Sequence, residues 1–319
     1  MPTLRDVVYE SVREGELYER LDRNRVRCFA CGHCCPIPEG QPGVCKVRYN
    51  RGGTLYVPWG YAGGVQCDPI EKKPFFHAYP GALAYSFGML GCDLHCGYCQ
   101  NWVTSQALRD PKAVVPPLAA TPQQLVQHAL QQGAKVLVST YNEPLITSEW
   151  AVAVFKKARA AGLLTAFVSN GNGTPQVLEY LQPWVDFYKV DLKSFDDRHY
   201  HQLGGRLQPI LDTTRRLHEM GFWLEIVTLV IPRFNDSDDE LQRLTEIHNQ
   251  RVCRHSLARD GVSQRLQDDR SGQHQCGDPD ARRSDRQEIR FTLCLCREPA
   301  GRGWGLGKHT LSRLPANPD

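Results

Sequence analysis

The stretch GMLGCDLHCGYCQNW, residues 88–102, carries the strongest chemical signal in this 319-residue chain. It places Cys92, Cys96 and Cys99 in a C-x3-C-x2-C pattern behind a short apolar run. Three thiolates so close in sequence can converge on one metal centre, and soft sulfur ligands select Fe–S clusters or zinc. Structural zinc sites and electron-transfer cubanes use four protein ligands, so three cysteines leave one iron of a [4Fe–4S] cluster open to a small molecule. The alternative is a zinc loop completed by His95 or by a distant cysteine.

The composition narrows the class of protein. Hydrophobic residues make up 41% of the chain, enough for one large α/β domain with appendages. A formal net charge of +3 is too small to argue for nucleic acid or a membrane surface as partner. No apolar run reaches the roughly 18 residues of a membrane span, and the charged N-terminus does not resemble a signal peptide. Thirteen cysteines in such a chain favour reduced thiols serving metal chemistry, and hence a cytoplasmic protein.

A second cysteine-rich segment precedes this stretch. Residues 1–50 are predicted to form an amphipathic helix, over residues 4–22, followed by a knuckle rich in glycine and proline turns. Cys34 is the one knuckle cysteine that is not assigned to a metal site. The other four cysteines make a C-x2-C…C…C set that could hold zinc or a second Fe–S cluster: Cys28, Cys31, Cys35 and Cys45.

Residues 51–82 are predicted to be a linker with short strands. Within it, the segment DPIEKKPFFH carries Lys72, Lys73 and His77. These side chains could contact an anionic cofactor group or lie on a solvated face, and the solvated face is the favoured interpretation. Cys67 is interpreted as an isolated packing cysteine.

Residues 83–250 alternate short apolar runs with longer amphipathic segments. Repeated strand–helix units imply a parallel sheet with right-handed crossovers, which closes fully or partly into a (β/α) barrel. In such a barrel the active site lies just beyond the carboxyl ends of the strands. The predicted strands are residues 82–90, 134–140, 163–170, 185–193 and 222–231.

Polar side chains lie at the carboxyl end of every one of these predicted strands or directly after it. The first strand leads into the cysteine triad, and the other four are followed by Asn142 and Glu143; Ser169, Asn170 and Asn172; Asp191 and Lys193; and Arg233 and Asn235. Because the carboxyl ends of parallel strands meet at one rim, we expect these groups to lie close together. Each of them could instead be a helix cap or a turn residue.

These motifs resemble those of the radical S-adenosylmethionine (SAM) superfamily, in which an aromatic residue, here Tyr98, precedes the last cysteine. The string GCDLHCGYCQNW is similar to that of the pyruvate formate-lyase activating enzyme. The order of the knuckle, DPIEKKP, TYNEP, SNG, DLK and TLVIP resembles the radical SAM member of the AmmeMemoRadiSam system, over roughly residues 25–250. The resemblance implies an α/β fold, a partial (β/α)6 TIM-like barrel with an N-terminal cysteine-rich knuckle.

The resemblance also implies a reaction. A [4Fe–4S] cluster on the cysteine triad would cleave SAM reductively to a 5′-deoxyadenosyl radical, which abstracts hydrogen from an unknown substrate, for which a protein is one candidate. The residues implied to bind SAM, beside Tyr98, are Asn142 and Glu143 at its amino group, Ser169 and Asn170 at its ribose, and Asp191 and Lys193 near its carboxylate or a monovalent cation.

The implied partners are an electron donor such as flavodoxin or ferredoxin and, from the AmmeMemoRadiSam resemblance, Memo-like and AMMECR-like proteins. Neither nucleic acid nor a membrane is expected. Two alternatives remain open. A non-catalytic iron–sulfur electron-transfer protein would need a fourth cysteine at the central cluster, and a zinc-knuckle interaction module would hold zinc alone.

The pattern changes after residue 250. Residues 251–319 hold twelve arginines, one lysine and four cysteines, with RFTLCLC as the one apolar run. The resemblance implies a sixth strand and helix here. A set of codons can be chosen that encodes residues 256–269. Read one nucleotide later, the same codons can encode an amino-acid string similar to that missing segment. We therefore expect the C-terminal part of the barrel to be missing or misframed, with a poorly ordered basic tail. A nucleic-acid-binding arm is the alternative, but aromatic interleaving is lacking.

Overall fold

The computed structural model describes residues 4–110, 112, 115–250 and 290–292. The N-terminal part is built from short strands. Its elements in chain order are α1 (Leu4–Glu10), β1 (Val12–Glu14), β2 (Tyr18–Arg20), β3 (Val26–Cys28), β4 (Pro36–Ile37), β5 (Tyr49–Arg51), β6 (Thr54–Pro58), β7 (Tyr61–Ala62), β8 (Gly64–Pro69) and a 3-10 helix (Ile70–Lys72).

The second part alternates strands and helices. Its elements are β9 (Leu83–Gly88), α2 (Trp102–Ser105), β10 (Leu118–Ala119), α3 (Pro122–Gln131), β11 (Val136–Ser139), a 3-10 helix (Pro144–Thr147), α4 (Ser148–Ala160), β12 (Leu164–Ser169), α5 (Pro175–Leu181), a 3-10 helix (Gln182–Trp184), β13 (Phe187–Asp191), α6 (Asp197–Gln202), α7 (Leu207–Glu219), β14 (Trp223–Val227), α8 (Asp238–Gln250) and β15 (Arg290–Thr292).

A seven-stranded sheet in the order β15-β14-β13-β12-β11-β9-β8 forms the centre of the fold. All neighbouring pairs from β9 to β15 are parallel, and β8 runs antiparallel to β9 at one edge. The predicted α/β fold with a partial (β/α) barrel is thereby confirmed. Three smaller antiparallel sheets, β1-β6-β5, β2-β3-β4 and β10-β7, lie outside it.

The strands form where the sequence predicts them because their side chains suit a surface buried on both faces. Small apolar residues from β9, β11 and β12 fill the inner side, namely Ala84, Val136, Val138, Ala166 and Val168. Helix α3 begins as predicted: the Thr121 side chain accepts from the Gln124 N–H, and the Gln124 side chain accepts from the Thr121 N–H. No helix within the described ranges is both long and apolar enough to cross a membrane.

The predicted N-terminal helix over residues 4–22 is wrong beyond Glu10. Residues 12–14 and 18–20 form β1 and β2, which pair with β6 and β3. The Gly15 N–H donates to the Leu55 carbonyl (2.8 Å), and a Cβ at Gly15 would lie 2.7 Å from Val57 Cγ1. The apolar spacing of this segment fits a helix, but tertiary strand pairing decides its conformation.

Two other segments add to the central sheet. Residues 64–69, predicted to belong to a linker, form β8 and pair with β9 along its whole length. Residues 290–292 form β15, which takes the sixth parallel position beside β14 from within the predicted tail. The other predictions for residues 251–319 concern positions outside the described residues.

A buried ion pair joins the N-terminal part to the barrel. The Arg48 guanidinium, 1% exposed, donates two 2.7 Å hydrogen bonds to the Glu149 carboxylate, which is 0% exposed. Arg48 Nη1 also donates to the Ile146 carbonyl (3.0 Å), and Glu149 Oε1 accepts from the Leu17 N–H (3.4 Å). Burial alone would raise the pKa of Glu149, but Arg48 outweighs it and holds that pKa below its usual value.

Breaking this pair from one side should strongly destabilise the protein. Glu149→Leu leaves a buried guanidinium without its carboxylate, so we expect the free energy of unfolding to fall by about 3–5 kcal/mol. The double variant Arg48→Met/Glu149→Leu removes both charges and should lose less than the single variant. Urea unfolding measures both.

A matched surface pair provides the control. Arg215 and Asp212 lie 2.8 Å apart with side chains 52% and 47% exposed. Arg215→Met should cost at most about 1 kcal/mol. Equal losses in Arg215→Met and Glu149→Leu would contradict the role of the buried pair.

Candidate functional site

The cysteine triad lies in a compact loop directly after β9. Cys92 Sγ accepts from the Leu94 N–H (3.4 Å), and the Cys99 N–H donates to the Cys96 carbonyl (3.1 Å). Cys99 Sγ lies 3.2 Å from the Ser105 hydroxyl at the end of α2. Backbone and hydroxyl contacts therefore orient the sulfurs before any ligand binds.

The surroundings hold this loop in place from two sides. The His95 N–H donates to the Leu203 carbonyl (2.9 Å), and a Cβ at Gly204, where φ is +83°, would lie 2.2 Å from the His95 ring. On the other side, Arg109 donates to the carbonyls of Leu94 and Val44, at 2.7 Å each. Arg109 thus ties the triad loop to the N-terminal knuckle.

Asp93 is a buried residue of the site that the sequence analysis missed. Its side chain is completely buried, and its two carboxylate oxygens accept from Asn170 Nδ2 (2.7 Å) and Asn172 Nδ2 (2.8 Å). It connects the triad loop to the loop after β12. A carboxylate between two cysteine ligands, combined with two asparagines after a strand, is the signal that could have identified it.

Glu143 lies at the centre of the loop after β11. Its carboxylate accepts from the Ser169 hydroxyl (2.7 Å), the Asn170 N–H (2.7 Å) and the Leu145 N–H (3.0 Å). Burial and the nearby Asp93 charge raise the pKa of Glu143 to about 8, against the opposing effect of these donors. Its neighbour Asn142 accepts from the Met89 N–H (2.9 Å), which joins this loop to the end of β9.

Charged groups at the end of β13 and directly after it also belong to the site. Lys189 Nζ donates to the Asp191 carboxylate, and Lys193 Nζ lies 3.8 Å from it. Burial would raise the pKa of Asp191, but the two lysines outweigh it and lower that pKa. Although burial acts to lower the pKa of Lys193, the charges of Asp191 and Cys96 raise it. The Tyr98 ring packs against Phe234, and burial raises its pKa.

One cavity of about 830 Å³ collects these groups, a size typical of small-molecule sites. It lies at the carboxyl ends of the parallel strands, as predicted. Its lining contains every predicted triad and SAM-binding residue: Cys92, Cys96, Cys99, Tyr98, Asn142, Glu143, Ser169, Asn170, Asp191 and Lys193. The remaining rim candidates are not part of this lining. Asn172 contacts Asp93, and Asn235 Nδ2 donates to the Lys193 carbonyl (2.7 Å).

The donor set of the cavity suits an iron–sulfur cluster with an open position. Burial raises the pKa of Cys92, and the Asp93 and Glu143 charges raise it further. Burial also raises the pKa of Cys96, while Lys193 opposes the shift. In the described ranges, no three His, Cys, Asp or Glu side chains surround a point suited to a single metal ion. Three thiols beside polar groups that can bind a small molecule fit a cluster that takes an exogenous ligand.

The four knuckle cysteines also lie together. Cys28, Cys31 and Cys45 are buried, Cys35 is half-buried, and the Cys28 N–H donates to the Cys35 carbonyl (3.1 Å). The pKa of Cys31 is raised. Burial is the largest cause, and the charges of Asp93 and of the other three thiols raise it further. Cys34 has a left-handed backbone (φ 43°), and its N–H donates to the Cys31 carbonyl (3.0 Å). Metal binding by this group stays a prediction.

The interpretation of Lys73 as part of a solvated face is wrong. Its side chain is 5% exposed, donates to Asp68 (3.2 Å) and to the Tyr141 hydroxyl (3.0 Å), and lines the cavity. Its neighbour Lys72 is 63% exposed and pairs with the same Asp68 carboxylate (2.8 Å). The sequence did not reveal that Asp68, five residues before Lys73, holds it inward.

Glu225, also missed in the sequence analysis, holds a segment that borders the cavity through Phe76. This buried carboxylate accepts from the backbone N–H groups of Phe76 (2.8 Å), His77 (3.2 Å) and Ala78 (3.0 Å). It thereby fixes the segment that follows Lys73. His77 contributes its backbone N–H to this contact.

Comparison with known proteins matches the part of the chain that contains this site. The family model described as the radical SAM superfamily matches residues 88–245. An uncharacterized protein of Methanocaldococcus jannaschii is 35% identical over 231 residues, which cover 72% of this chain and 68% of that protein. The pyruvate formate-lyase-activating enzyme of Staphylococcus epidermidis is 28% identical over 187 residues, 53% of this chain and 70% of that enzyme.

Solved structures show weaker likeness. QueE from Escherichia coli gives a TM-score of 0.38 at 16% identity, over 59% of this chain and 75% of that one. A domain of a pyruvate-formate lyase-activating enzyme from Bacteroides vulgatus gives a TM-score of 0.33 at 20% identity, over 34% of this chain and 68% of that one. On the sequence matches, the chain belongs to the radical SAM superfamily.

The loop after β11 needs a glycine at the end of β9. A Cβ at Gly88 would lie 2.4 Å from the Thr140 carbonyl oxygen and 2.9 Å from Tyr141 Cβ. Gly88→Ala should therefore lower the free energy of unfolding by about 1–3 kcal/mol. Gly64 is its cross-strand partner, and a Cβ there meets nothing within 4 Å. Gly64→Ala should stay within about 0.5 kcal/mol of wild type, and equal losses would contradict the proposed contact.

The raised pKa of Glu143 predicts a pH dependence of stability. The folded protein binds a proton at Glu143 up to about pH 8, whereas the unfolded chain releases it near the ordinary pKa of a glutamate, 4.5. This group therefore stabilises the fold fully at low pH, and its contribution is lost as pH rises toward 8, by up to about 1.4 kcal/mol per pH unit. Glu143→Gln lacks this titration. Urea unfolding from pH 5 to 8 should show the advantage of wild type over the variant shrinking, and a constant difference would contradict the assignment.

Proposed function

We propose that this chain is a radical SAM enzyme that binds a [4Fe–4S] cluster through Cys92, Cys96 and Cys99. The observation that carries the proposal is the convergence of these thiols and of seven predicted SAM-binding residues on one cavity. When bound, the cluster and SAM would supply one-electron reductive cleavage of SAM to methionine and a 5′-deoxyadenosyl radical that abstracts hydrogen from the substrate.

The residues around the cavity would bind and orient SAM. Glu143 offers a carboxylate already fixed by Ser169 and the Asn170 N–H, which suits an acceptor for the amino group of SAM. The ionised form of Glu143 gains from any nearby positive charge, so ligand binding would offset the cost of its burial. In the same cavity, Lys193 and Asp191 provide paired charges for the carboxylate end.

The apolar part of the lining would exclude water from the reacting atoms. Val168, Leu192 and Val227 come from the ends of three neighbouring strands and face the same cavity as the cysteines. An apolar lining that excludes water protects a reactive intermediate from side reactions.

The substrate and partners extend this proposal. Similarity to an activating enzyme supports an oxidoreductase that acts on a substrate still to be identified. An electron donor such as flavodoxin or ferredoxin would reduce the cluster, and Memo-like and AMMECR-like proteins are candidate partners. The knuckle cysteines Cys28, Cys31, Cys35 and Cys45 would hold zinc or a second Fe–S cluster once their side chains reorient, since among the described residues no three of them surround a point suited to a metal ion. The effect of the other three thiols on the pKa of Cys31 supports the proposal.

Anaerobic cluster reconstitution, followed by dithionite and SAM, tests the function through the formation of 5′-deoxyadenosine. We expect product from wild type and none from Cys96→Ala, because that variant removes one of three ligands. Cys67→Ala is the matched control, since Cys67 lies on β8 outside the cavity lining and should leave product formation unchanged. A cluster-loaded wild type that forms no 5′-deoxyadenosine, or a Cys96→Ala variant that still forms it, would refute the proposal.

A further inference from the structure

Two lysines at the edge of the cavity share a single carboxylate. Asp68 Oδ1 accepts from Lys72 Nζ (2.8 Å), and Asp68 Oδ2 accepts from Lys73 Nζ (3.2 Å). The other acid beside them, Glu71, also lines the cavity, and its carboxylate accepts from the backbone N–H of Gly81 (2.5 Å). Of the two lysines, Lys73 is the buried one: its side chain is 5% exposed and lines the cavity, so its ammonium can attract an anion with little screening by water.

Tyr141 completes this corner of the cavity. Its hydroxyl accepts a hydrogen bond from Lys73 Nζ (3.0 Å), and the Lys73 ammonium lies 4.9 Å from the centre of the tyrosine ring. Tyr141 has a left-handed backbone (φ 72°), which is uncommon and costly for a large residue. The side chain is thus held at the cavity by the backbone as well as by Lys73.

The pair has hydrogen-bond donors left over. A lysine ammonium carries three hydrogens, and Lys73 uses one on Asp68 and one on Tyr141. Since the Tyr141 hydroxyl accepts from Lys73, its own hydrogen is available, and no acceptor for it occurs among the described residues. Two donors 3.0 Å apart match the two oxygens of a carboxylate or of a phosphate group.

We propose that Lys73 and Tyr141 form a receptor for an oxyanion, a carboxylate or phosphate, on the substrate. The inference rests on the proposed function, because SAM is assigned to the groups around Glu143 and Lys193. The same cavity is lined by apolar residues at and after the end of β14, namely Val227, Leu229, Val230 and Ile231. A substrate with an apolar body and one anionic end fits both features.

Small probes test the receptor without any radical chemistry. Butyrate, inorganic phosphate and butylammonium are titrated into the purified full chain and followed by ligand-observed NMR. We expect at least one anion to bind and the cation not to bind. Lys73→Met should weaken anion binding at least about tenfold, and Tyr141→Phe, which keeps the ring, about three- to tenfold. Lys135→Met, an exposed lysine at the opposite end of β11, should leave the affinity unchanged.

The outcomes separate this inference from the proposed function. The anion that binds more tightly identifies the oxyanion, and an unchanged affinity in both Lys73→Met and Tyr141→Phe, or no anion binding, overturns the receptor. Circular dichroism shows whether each variant is folded. If Lys73→Met does not fold, Tyr141→Phe alone tests the receptor. Repeating the titration on cluster-loaded protein with saturating SAM should leave anion binding intact. Displacement by SAM would assign Lys73 to the cofactor instead, whereas missing 5′-deoxyadenosine would refute only the radical chemistry.

Discussion

The buried carboxylate of Asp93 is the contact on which the geometry of the site depends. A charge with no solvent access must be fully hydrogen-bonded, and here the donors are the side-chain amides of Asn170 and Asn172. The cysteine loop therefore cannot move away from β12 without leaving an uncompensated charge. Burial raises the pKa of Cys92, Glu143 and Cys31, and the Asp93 charge raises all three further, so this charge acts on both cysteine groups and on Glu143.

The N-terminal part and the barrel form one site because several contacts of different kinds cross between them. Arg48 and Glu149 supply a buried ion pair, Arg109 bridges to the Val44 carbonyl, and the Gly32 N–H donates to the Asn172 carbonyl at 2.8 Å. The last contact connects the knuckle to Asn172, whose side chain donates to Asp93. Any change in the knuckle is thus transmitted to the loop that carries the cysteine triad.

Much of the barrel could be predicted from the sequence because its strands are buried on both faces and its helices have clear caps. The triad and the rim residues were found because their spacing and their place after strands are local properties. Lys73, Asp93 and Glu225 could not be assigned in this way. Their roles depend on contacts with Tyr141, Asn170 and the backbone of Ala78, which the chain brings together only on folding. The short extent of α1 has the same origin, since pairing with β6 decides it.

The position of β15 has a consequence for the order in which the protein is made. Sixty-two residues, 228 to 289, separate β14 from the strand that pairs with it. On the ribosome, the outer edge of β14 therefore stays without its partner until the chain has grown well past α8. An unpaired parallel edge is open to pairing with another chain during that interval. Synthesis at high concentration should thus favour aggregation of nascent chains over that of finished ones, and chaperone binding would be needed most at this stage.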